Sequence, residues 1–285
     1  MDYNKAALEM HETHKGKVGI VSKVEVATRD DLSTAYTPGV AEPCRKIKEN
    51  PEDVYKYTFK GNMVAVVSNG TAVLGLGDIG PEAGLPVMEG KAVLFKEFGG
   101  VDAFPICIDA HDAASVIAAC KAIAPTFGGI NLEDIKSPEC FEIEETLERE
   151  LDIPVFHDDQ HGTAIISGAG LINALEITGK KAEDFIVVVS VAGAAAIACA
   201  KFYTELGIAP ANIRMFDSKG ILHKGRTDLN KYKAQFALSE DMTMTEALKD
   251  ADLFLGLSKK DLLTPDMIKG MADHPVIFAC ANPDP

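Results

Sequence analysis

Apolar residues come in short runs along most of this chain, and their spacing predicts alternating strands and helices. In the first half, the strand-like runs "AFPICID", "GGINLEDI" and "IPVFHDD" are separated by the helix-like segments "DAASVIAACKAIAPTF" and "PECFEIEETLERE". Upstream, residues 2–13 and "PVMEGKAVLFKEFGG" also have helical patterns. The segments "MVAVVSN" and "TAVLGLG" flank Asn69-Gly70, which predicts a β-hairpin at that point.

The same alternation restarts after residue 183. Before it, "GTAIISGAGLINALEITG" predicts a long helix that ends at Gly179. The predicted strands are "FIVVVS", "IRMFD", "ADLFLGL" and "VIFACAN", and the predicted helices cover residues 193–206, residues near 229–237, and "TPDMIKGMA". Strands this apolar, separated by helices, are typical of a parallel sheet that is buried on both faces. A boundary near residue 160 then gives two α/β domains, 1–160 and 161–285.

Composition limits the partners more than it limits the fold. The 285 residues are 47% hydrophobic and 25% charged, as in globular proteins, and the net charge of −15 argues against nucleic acid or anionic membranes as partners. The N-terminus has no apolar signal core, and no apolar stretch reaches the roughly 20 residues that span a bilayer. None of the six cysteines forms C-x-x-C, which is expected for free thiols in a reducing cytoplasm.

Two glycine-containing loops compete as the binding site for a dinucleotide. The segment "GLGDIG" matches G-x-G-x-x-G, but Gly84 and Pro86 are expected to delay any helix after it, and Asp78 places a negative charge in the turn. A phosphate-binding loop needs a strand before it and a helix immediately after it. The segment "VVVSVAGAAA" has both, so we predict that the cofactor contacts Val191, Ala192, Gly193, Ala194, Ala195 and Ala196.

The second loop departs from the dinucleotide fingerprint at one position. Gly193 keeps the close approach to the pyrophosphate, and Asp217 follows at the distance expected for an acidic residue that binds the adenosine ribose. Val191 stands where the first glycine is expected, and a β-branched residue is penalised at positive φ. We therefore expect weaker cofactor binding than in a Val191→Gly variant. The alternative on these residues is a parallel sheet without a cofactor.

Two acidic pairs follow neighbouring predicted strands. Glu133 and Asp134 lie in "NLEDI", and Asp158 and Asp159 lie in "VFHDDQHG". A right-handed β-α-β crossover would bring both strand ends to one edge, where open α/β sheets bind ligands. Clustered carboxylates favour a hard cation such as Mg²⁺ or Mn²⁺. Two alternatives remain: zinc bound by the nearby histidines, which needs a helix there, and exposed acidic loops without any metal.

Eight segments of the chain occur in the order that one enzyme family shows. They are "AYTPGVAEPC", "AVLGLGDIG", "PVMEGKAVLF", "INLEDI", "PVFHDDQHGTA", the turn at 187–200, "FDSKG" and "FACANP". Together they resemble a malic enzyme of the small bacterial type. The resemblance implies a substrate domain followed by a doubly wound nicotinamide-binding domain of the Rossmann type. It also implies the conversion of malate and an oxidised nicotinamide cofactor to pyruvate, CO₂ and the reduced cofactor.

The resemblance gives each matching residue a role. Tyr36 of "YTPGV" would be the general acid, and Lys91 of "EGKAV" would be the general base. The other implied roles are metal binding by Glu133, Asp134 and Asp159, with Asp158 as a close neighbour, substrate binding by Asn282, and cofactor binding by Gly193 and Asp217. A cytoplasmic homodimer that contacts its partner through helices of the first domain is also implied.

Some features leave alternatives open. Ala72 stands where larger malic enzymes have a substrate-binding arginine, and the family continues beyond "NPDP", so we expect an incomplete second domain. Asp217 would repel a 2′-phosphate and favour NAD, whereas Lys219, Lys224 and Arg226 could accept NADP. A non-catalytic malate- or metal-binding relative, and the malic-enzyme part of a fusion with an acyl-transferase-like domain, are the competing interpretations.

Overall fold

The computed structural model describes residues 2–73 and 75–281, so Asn282 lies outside the described residues. Contacts within the chain divide it into two compact units. The first contains the described residues of Met1–Val73, Gly77–Ile135 and Glu142–Phe156, and the second contains those of Leu74–Leu76, Lys136–Phe141 and His157–Pro285.

The first half of the chain builds a four-stranded sheet with helices on the connections. Its helices are α1 (Tyr3–His14), α2 (Arg29–Ala35), α3 (Ala41–Glu49), α4 (Val54–Tyr57), α5 (Pro81–Gly99), α6 (Ala113–Ile123) and α7 (Glu139–Glu150). Its strands are β1 (Met63–Ser68), β2 (Asp102–Cys107), β3 (Gly129–Leu132) and β4 (Val155–His157), and short 3-10 turns lie at Pro51–Asp53, Phe59–Asn62 and Ala124–Thr126.

Strand β1 lies inside this sheet, whose order is β2-β1-β3-β4. It pairs in parallel with β2 on one side and β3 on the other. Ala65, Val66 and Val67 of β1 are completely buried, as expected for a strand covered on both faces. The carboxyl ends of β1, β2 and β3 therefore share one edge of the sheet.

The predicted hairpin at Asn69-Gly70 is wrong. After β1 the chain forms a loop in which the Gly70 carbonyl accepts from the amides of Ile79 and Gly80, and the Ala72 amide donates to the Asp134 carbonyl. These bonds occupy backbone groups that a second hairpin strand would have offered to β1. Gly70 has a φ of +67° and lies so close to Gly80 that a Cβ atom would be 2.1 Å from its carbonyl oxygen.

The second unit has a five-stranded sheet. Its helices are α8 (Asp158–Thr178), α9 (Ala194–Glu205), α10 (Met244–Leu248) and α11 (Pro265–Lys269), with 3-10 turns at Ala182–Asp184, Pro210–Asn212 and Lys233–Phe236. Its strands are β5 (Val187–Val189), β6 (Ile213–Asp217), β7 (Gly220–Ile221), β8 (Leu253–Gly256) and β9 (Val276–Ala279). The order is β7-β6-β5-β8-β9.

The four predicted strands of the second sheet are present and parallel, and the two-residue β7 adds an antiparallel edge. Val187, Val188 and Val189 of the central strand β5 are completely buried. Both sheets with their connecting helices confirm the α/β class and the doubly wound second sheet. No helix among the described residues is long and apolar enough to cross a membrane.

Two predicted helices differ from the structure. Helix α8 begins at Asp158, four residues before the predicted start at Gly162, so Asp158 and Asp159 form its first turn. Acidic side chains are stabilised there by the helix dipole. The helix predicted near 229–237 is only a 3-10 turn at Lys233–Phe236. The Asn230 side chain accepts from the amides of Tyr232 and Lys233, an N-cap pattern that begins this short turn.

Candidate active site

Glu133 and Asp134 follow β3 directly and are almost completely buried, with 5% and 3% of their surfaces exposed. The Asn131 side chain donates to Oε2 of Glu133 at 2.8 Å. Asp134 has a φ of +53°, a left-handed conformation that aspartate tolerates better than most residues. Buried carboxylates require compensation by cations or hydrogen bonds, and the next partner comes from a neighbouring helix.

Lys91 lies on α5, and its Nζ atom is 3.0 Å from Oε1 of Glu133. Its side chain is only 19% exposed. Each oxygen of Glu133 therefore has a different partner, since Lys91 holds one and Asn131 holds the other. The structure brings the predicted base and one predicted metal ligand into direct contact.

Tyr36 is the C-cap residue of α2, and 67% of its surface is exposed. Its backbone amide donates to the carbonyl of Leu32, and its own carbonyl accepts from the amide of Val40. Among the described residues, no hydrogen bond joins its hydroxyl group to Lys91. The structure therefore fixes the Tyr36 backbone in a tight turn and leaves its side chain largely exposed.

Asp158 and Asp159 lie in the second unit, in the first turn of α8. His157, the N-cap residue, is fully buried, and its Nε2 atom is 3.8 Å from Oδ2 of Asp159. His157 ends strand β4, and His161 lies within the helix. The two histidines therefore do not lie on consecutive turns of one helix, which removes the i, i+4 geometry that a zinc pair would need.

The loop from Val191 to Ala196 joins β5 to α9, as a dinucleotide-binding turn requires. Gly193 is the N-cap residue of α9, and a Cβ atom added there would meet no other atom within 4 Å. Ala192 and Ala196 are buried, and Ala194 and Ala195 are half-buried in the first turn. The amides of this turn have no partners within the helix, so they form a site that suits a phosphate group.

The reason given for a defect at Val191 is wrong. The non-glycine residues with positive φ among those described are Lys15, Asp134, Asp250, Asp261 and His274. Val191 is therefore not in the left-handed region, and its β-branched side chain causes no backbone strain of that kind. The weaker cofactor binding expected from Val191 loses its physical basis.

The reason for excluding "GLGDIG" also needs correction. Helix α5 begins at Pro81 directly after Gly80, so Gly84 and Pro86 do not delay it. However, the amides of Ile79 and Gly80 already donate to the Gly70 carbonyl, so they are not directed at a ligand. The loop also does not follow a strand directly, because β1 ends at Ser68.

Asp217 ends β6, and its side chain is only 9% exposed. Arg226 binds both of its oxygens, at 2.8 and 2.9 Å, and Lys233 binds Oδ2 at 2.8 Å. Burial alone would raise the pKa of Asp217, but the hydrogen bonds from Arg226 and Lys233 outweigh it and hold the pKa well below its usual range. The carboxylate is therefore ionised and neutralised by the chain itself.

Sequence reasoning missed two participants in these clusters. Asn131 is a polar residue in a buried strand, and that contrast is a signal that could have identified it. Lys233 lies 16 residues from Asp217 in a segment that was predicted to be helical, so its contact with Asp217 had no local signal.

Comparisons with known proteins match both halves of the chain. The family model described as "Malic enzyme, N-terminal domain" matches residues 14–116, and the one described as "Malic enzyme, NAD binding domain" matches residues 160–285. The bifunctional malic/malolactic enzyme of Bacillus subtilis is 52% identical over 100% of this chain and 70% of its own length.

Two further relatives show how similar the fold is and how far the match extends. An NADP-dependent malic enzyme of Haemophilus influenzae is 52% identical over 98% of this chain, which spans only 38% of that relative. The crystal structure of an NAD-dependent malic enzyme from Thermotoga maritima is 48% identical, with a TM-score of 0.93, and the match covers 98% of this chain and 75% of that one. The chain belongs to the malic enzyme family.

Proposed function

We propose that this chain carries out the metal-dependent oxidative decarboxylation of malate to pyruvate and CO₂, with reduction of a nicotinamide cofactor. The observation that carries the proposal is the contact between Lys91 and Glu133 at 3.0 Å. It pairs an amine with a buried carboxylate at the end of a central strand, in a chain of the malic enzyme family. The names of the relatives, which include NAD- and NADP-dependent malic enzymes, support the same reaction.

We propose that Glu133, Asp134 and Asp159 hold a divalent cation, Mg²⁺ or Mn²⁺. The buried Glu133 and Asp134 offer only oxygen atoms, which hard cations prefer. Asp159 follows β4, the neighbour of β3 in the sheet, by two residues. When bound, the cation supplies Lewis-acid stabilisation of the negative charge that develops on the substrate oxygen.

In this proposal the residues of the chain move two protons. Lys91 would accept the proton of the malate hydroxyl group as C2 is oxidised, and the nicotinamide cofactor, when bound, would supply the hydride acceptor. Glu133 orients the Lys91 amine, and Asn131 orients Glu133. After CO₂ has left, Tyr36 would donate a proton to the methylene carbon of the enolate of pyruvate, and the proton that Lys91 took up would restore the phenol. A general base contributes typically 10²–10⁴-fold to a rate, so loss of either residue should be readily measured.

Titration with Mn²⁺ alone, followed by electron paramagnetic resonance of the free ion, tests the metal site. We expect Asp134→Asn to weaken binding roughly tenfold or more, since even outer-shell changes at metal sites have effects of that order. Asp152→Asn is the matched control, because Asp152 is exposed in the loop before β4. Equal affinities in wild type and Asp134→Asn would contradict the site. Wild-type protein that forms no pyruvate from malate, Mn²⁺ and either cofactor would contradict the reaction.

We propose that the cofactor site accepts NADP as well as NAD. Asp217 alone would repel a 2′-phosphate, but Arg226 and Lys233 compensate its charge. Lys219 pairs with Asp228, and this pair adds no net charge. The cluster of these five side chains therefore carries a net charge of about +1 at neutral pH, which suits a phosphate.

Initial rates with the two cofactors test this preference. We expect Lys233→Ala to raise KM for NADP several-fold more than KM for NAD. Lys249→Ala is a control, because Lys249 is an exposed lysine elsewhere in the second unit. An equal change of both KM values in Lys233→Ala would show that the lysine does not act on the 2′-phosphate.

We also propose that the protein is a cytoplasmic homodimer that acts on a small molecule and binds neither nucleic acid nor membranes. Large apolar side chains in the first unit are exposed, among them Ile20, Val21 and Phe98, which supports burial against another subunit. The six free cysteines support a reducing compartment, and the net charge of −15 opposes nucleic acid. Light scattering after gel filtration tests the dimer, and the mass of a single chain would contradict it.

A further inference from the structure

Two serine residues lie at the centre of the carboxyl edge of the second sheet. Strands β5 and β8 are neighbours there, and the chain continues from β5 toward β6 on one side and from β8 toward β9 on the other. Such a reversal is a topological switch point, above which open α/β sheets bind their ligands. Ser190 follows β5 directly, and Ser258 follows β8 by two residues.

The two hydroxyl groups bridge the loops that leave these strands. Oγ of Ser190 accepts from the amide of Leu257 at 3.0 Å and lies 3.1 Å from Oγ of Ser258. Ser190 is only 8% exposed, whereas Ser258 is exposed. The backbone amide of Ser190 also donates to the Leu255 carbonyl at 3.1 Å. Ser190 is therefore held by β8, while Ser258 lies on the open side of the pair.

The hydroxyl groups of Ser190 and Ser258 have one more proton than the hydrogen bond between them uses. Each serine has one hydroxyl proton, and only one of them can lie between the two oxygens. The Leu257 amide supplies its own proton to Ser190. Ser258 donates to Ser190, so the hydroxyl proton of Ser190 has no acceptor among the described residues. A polar donor at the rim of a ligand crevice suits an acceptor on the ligand.

We propose that the hydroxyl pair of Ser190 and Ser258 donates a hydrogen bond to the pyrophosphate of the dinucleotide cofactor, and that it is a positioning element for that group. The inference rests on the proposed function. The loop between Ser190 and α9 has no cationic side chain, so its own donors to a phosphate are backbone amides and the Ser190 hydroxyl group. Hydroxyl donors form short, strong bonds to anionic oxygens, and Ser190 lies three residues before the N-cap of α9.

Binding of two fragments of the cofactor tests the proposal by calorimetry. ADP-ribose contains the pyrophosphate, whereas AMP does not. We expect the double variant Ser190→Ala/Ser258→Ala to weaken ADP-ribose binding about tenfold, a typical effect of a lost hydrogen bond to a charged group, and to leave AMP binding unchanged. Ser258→Thr, which keeps a hydroxyl group, should bind like wild type. Ser218→Ala is the control, since Ser218 is an exposed serine after β6.

Each outcome decides the proposal. Because Ser258 is exposed, Ser258→Ala should fold even if the double variant does not, and we expect a severalfold loss from it alone. Unchanged ADP-ribose affinity in both Ser258→Ala and the double variant would overturn the inference. The proposed function would stand in that case, as long as the wild-type protein binds ADP-ribose. An equal loss for AMP would also overturn it, since the pair would then act on the loop and not on the pyrophosphate. Wild-type protein that binds no reduced cofactor would refute the proposed function as well.

Discussion

Lys91 and Tyr36 show how differently the structure treats two residues with comparable proposed roles. Lys91 is held 3.0 Å from Glu133 in a half-buried position. The side chain of an unpaired lysine on a protein surface would instead have many conformations. Tyr36 is exposed, and only its backbone is fixed. Preorganisation of a reacting group reduces the entropy lost at the transition state. The proposed base is therefore held by a side-chain contact, whereas the proposed acid is held only through its backbone.

We predict that variants of these two residues fail at different steps. Lys91→Met should lose oxaloacetate reduction and malate oxidation by about 10²-fold or more, since the proton of the hydroxyl group has no other acceptor. Tyr36→Phe should retain oxaloacetate reduction but lose exchange of the pyruvate methyl protons in D₂O, measured by NMR. Lys96→Met is the control on the same helix, because Lys96 is exposed and pairs with Asp102. Equal loss of both reactions in Tyr36→Phe would contradict the separate roles.

Asp217 predicts a pH dependence of stability. Its pKa in the folded state is lowered, so the carboxylate stabilises the fold fully above the unfolded pKa of 3.8 and progressively less as pH falls through the folded value. We expect Asp217→Asn to lower the free energy of unfolding by about 2 kcal/mol near pH 7, the scale of a lost charged hydrogen bond. The difference in the free energy of unfolding between wild type and variant should shrink below pH 4. Denaturant melts at several pH values measure this difference. A difference that stays constant with pH would contradict the stabilisation by ion pairs.

At the scale of elements, helix α8 packs closely on α9 through small residues. A Cβ atom at Gly168 would lie 2.4 Å from a ring carbon of Phe202, and one at Gly170 would lie 2.8 Å from Phe278. The sequence pattern correctly predicted a long helix rich in small residues that ends at Gly179. It could not predict which of them face a partner, because that depends on the packing of a ring from another element, Phe202 of α9 for Gly168 and Phe278 of β9 for Gly170.

We predict that Gly168→Ala destabilises the protein by about 1–3 kcal/mol, the range for an extra group forced into a packed site. The control is Gly90→Ala in α5, where the nearest atom to a new Cβ is the flexible Lys17 amine at 3.6 Å. There we expect little change, since alanine favours a helix over glycine. Thermal melts measure the stability of both variants. A melting temperature of Gly168→Ala equal to that of the wild type would show that the Phe202 ring moves aside without loss of stability.

The segment after β1 shows the limit of local patterns. Asn69-Gly70 has the composition of a hairpin turn, but the Ala72 amide bonds to the Asp134 carbonyl, 62 residues away in the sequence. The error arose because a hydrogen bond with no signal in the local pattern replaced the expected backbone partner. The helical pattern near 229–237 differs, since Asn230 accepts from two amides close in sequence and the segment forms only a 3-10 turn at Lys233–Phe236.

At the scale of the whole molecule, the cysteines report how tightly the two cores are packed. Cys120 lies in the first unit and Cys199 in the second, and both are completely buried. Burial raises the pKa of Cys120 to about 12 and that of Cys199 to about 11. Cys44 is exposed on α3. The reactive form of a thiol is the thiolate, so reactivity should differ strongly among these sites.

We predict that an aromatic disulfide reagent modifies Cys44 rapidly in the native protein at pH 8, whereas Cys120 and Cys199 react only after denaturation. Peptide mapping by mass spectrometry assigns the modified residues. Cys280 is also exposed, so Cys44→Ser should remove only the Cys44 peptide from the fast phase and leave the number of slowly reacting thiols unchanged. Modification of Cys120 or Cys199 at the rate of Cys44 would contradict the closed cores.

The sequence by itself determined the α/β class, the four parallel strands of the second unit, and the acidic residues and glycine loop that follow particular strands. These features depend on periodicity and on residues adjacent in the chain, which a single sequence contains. Only the tertiary structure decided that Asn131 and Lys91 share Glu133, that Arg226 and Lys233 neutralise Asp217, and that Val191 is unstrained. Such contacts join residues far apart in the chain, or depend on the exact backbone path, so no local pattern encodes them.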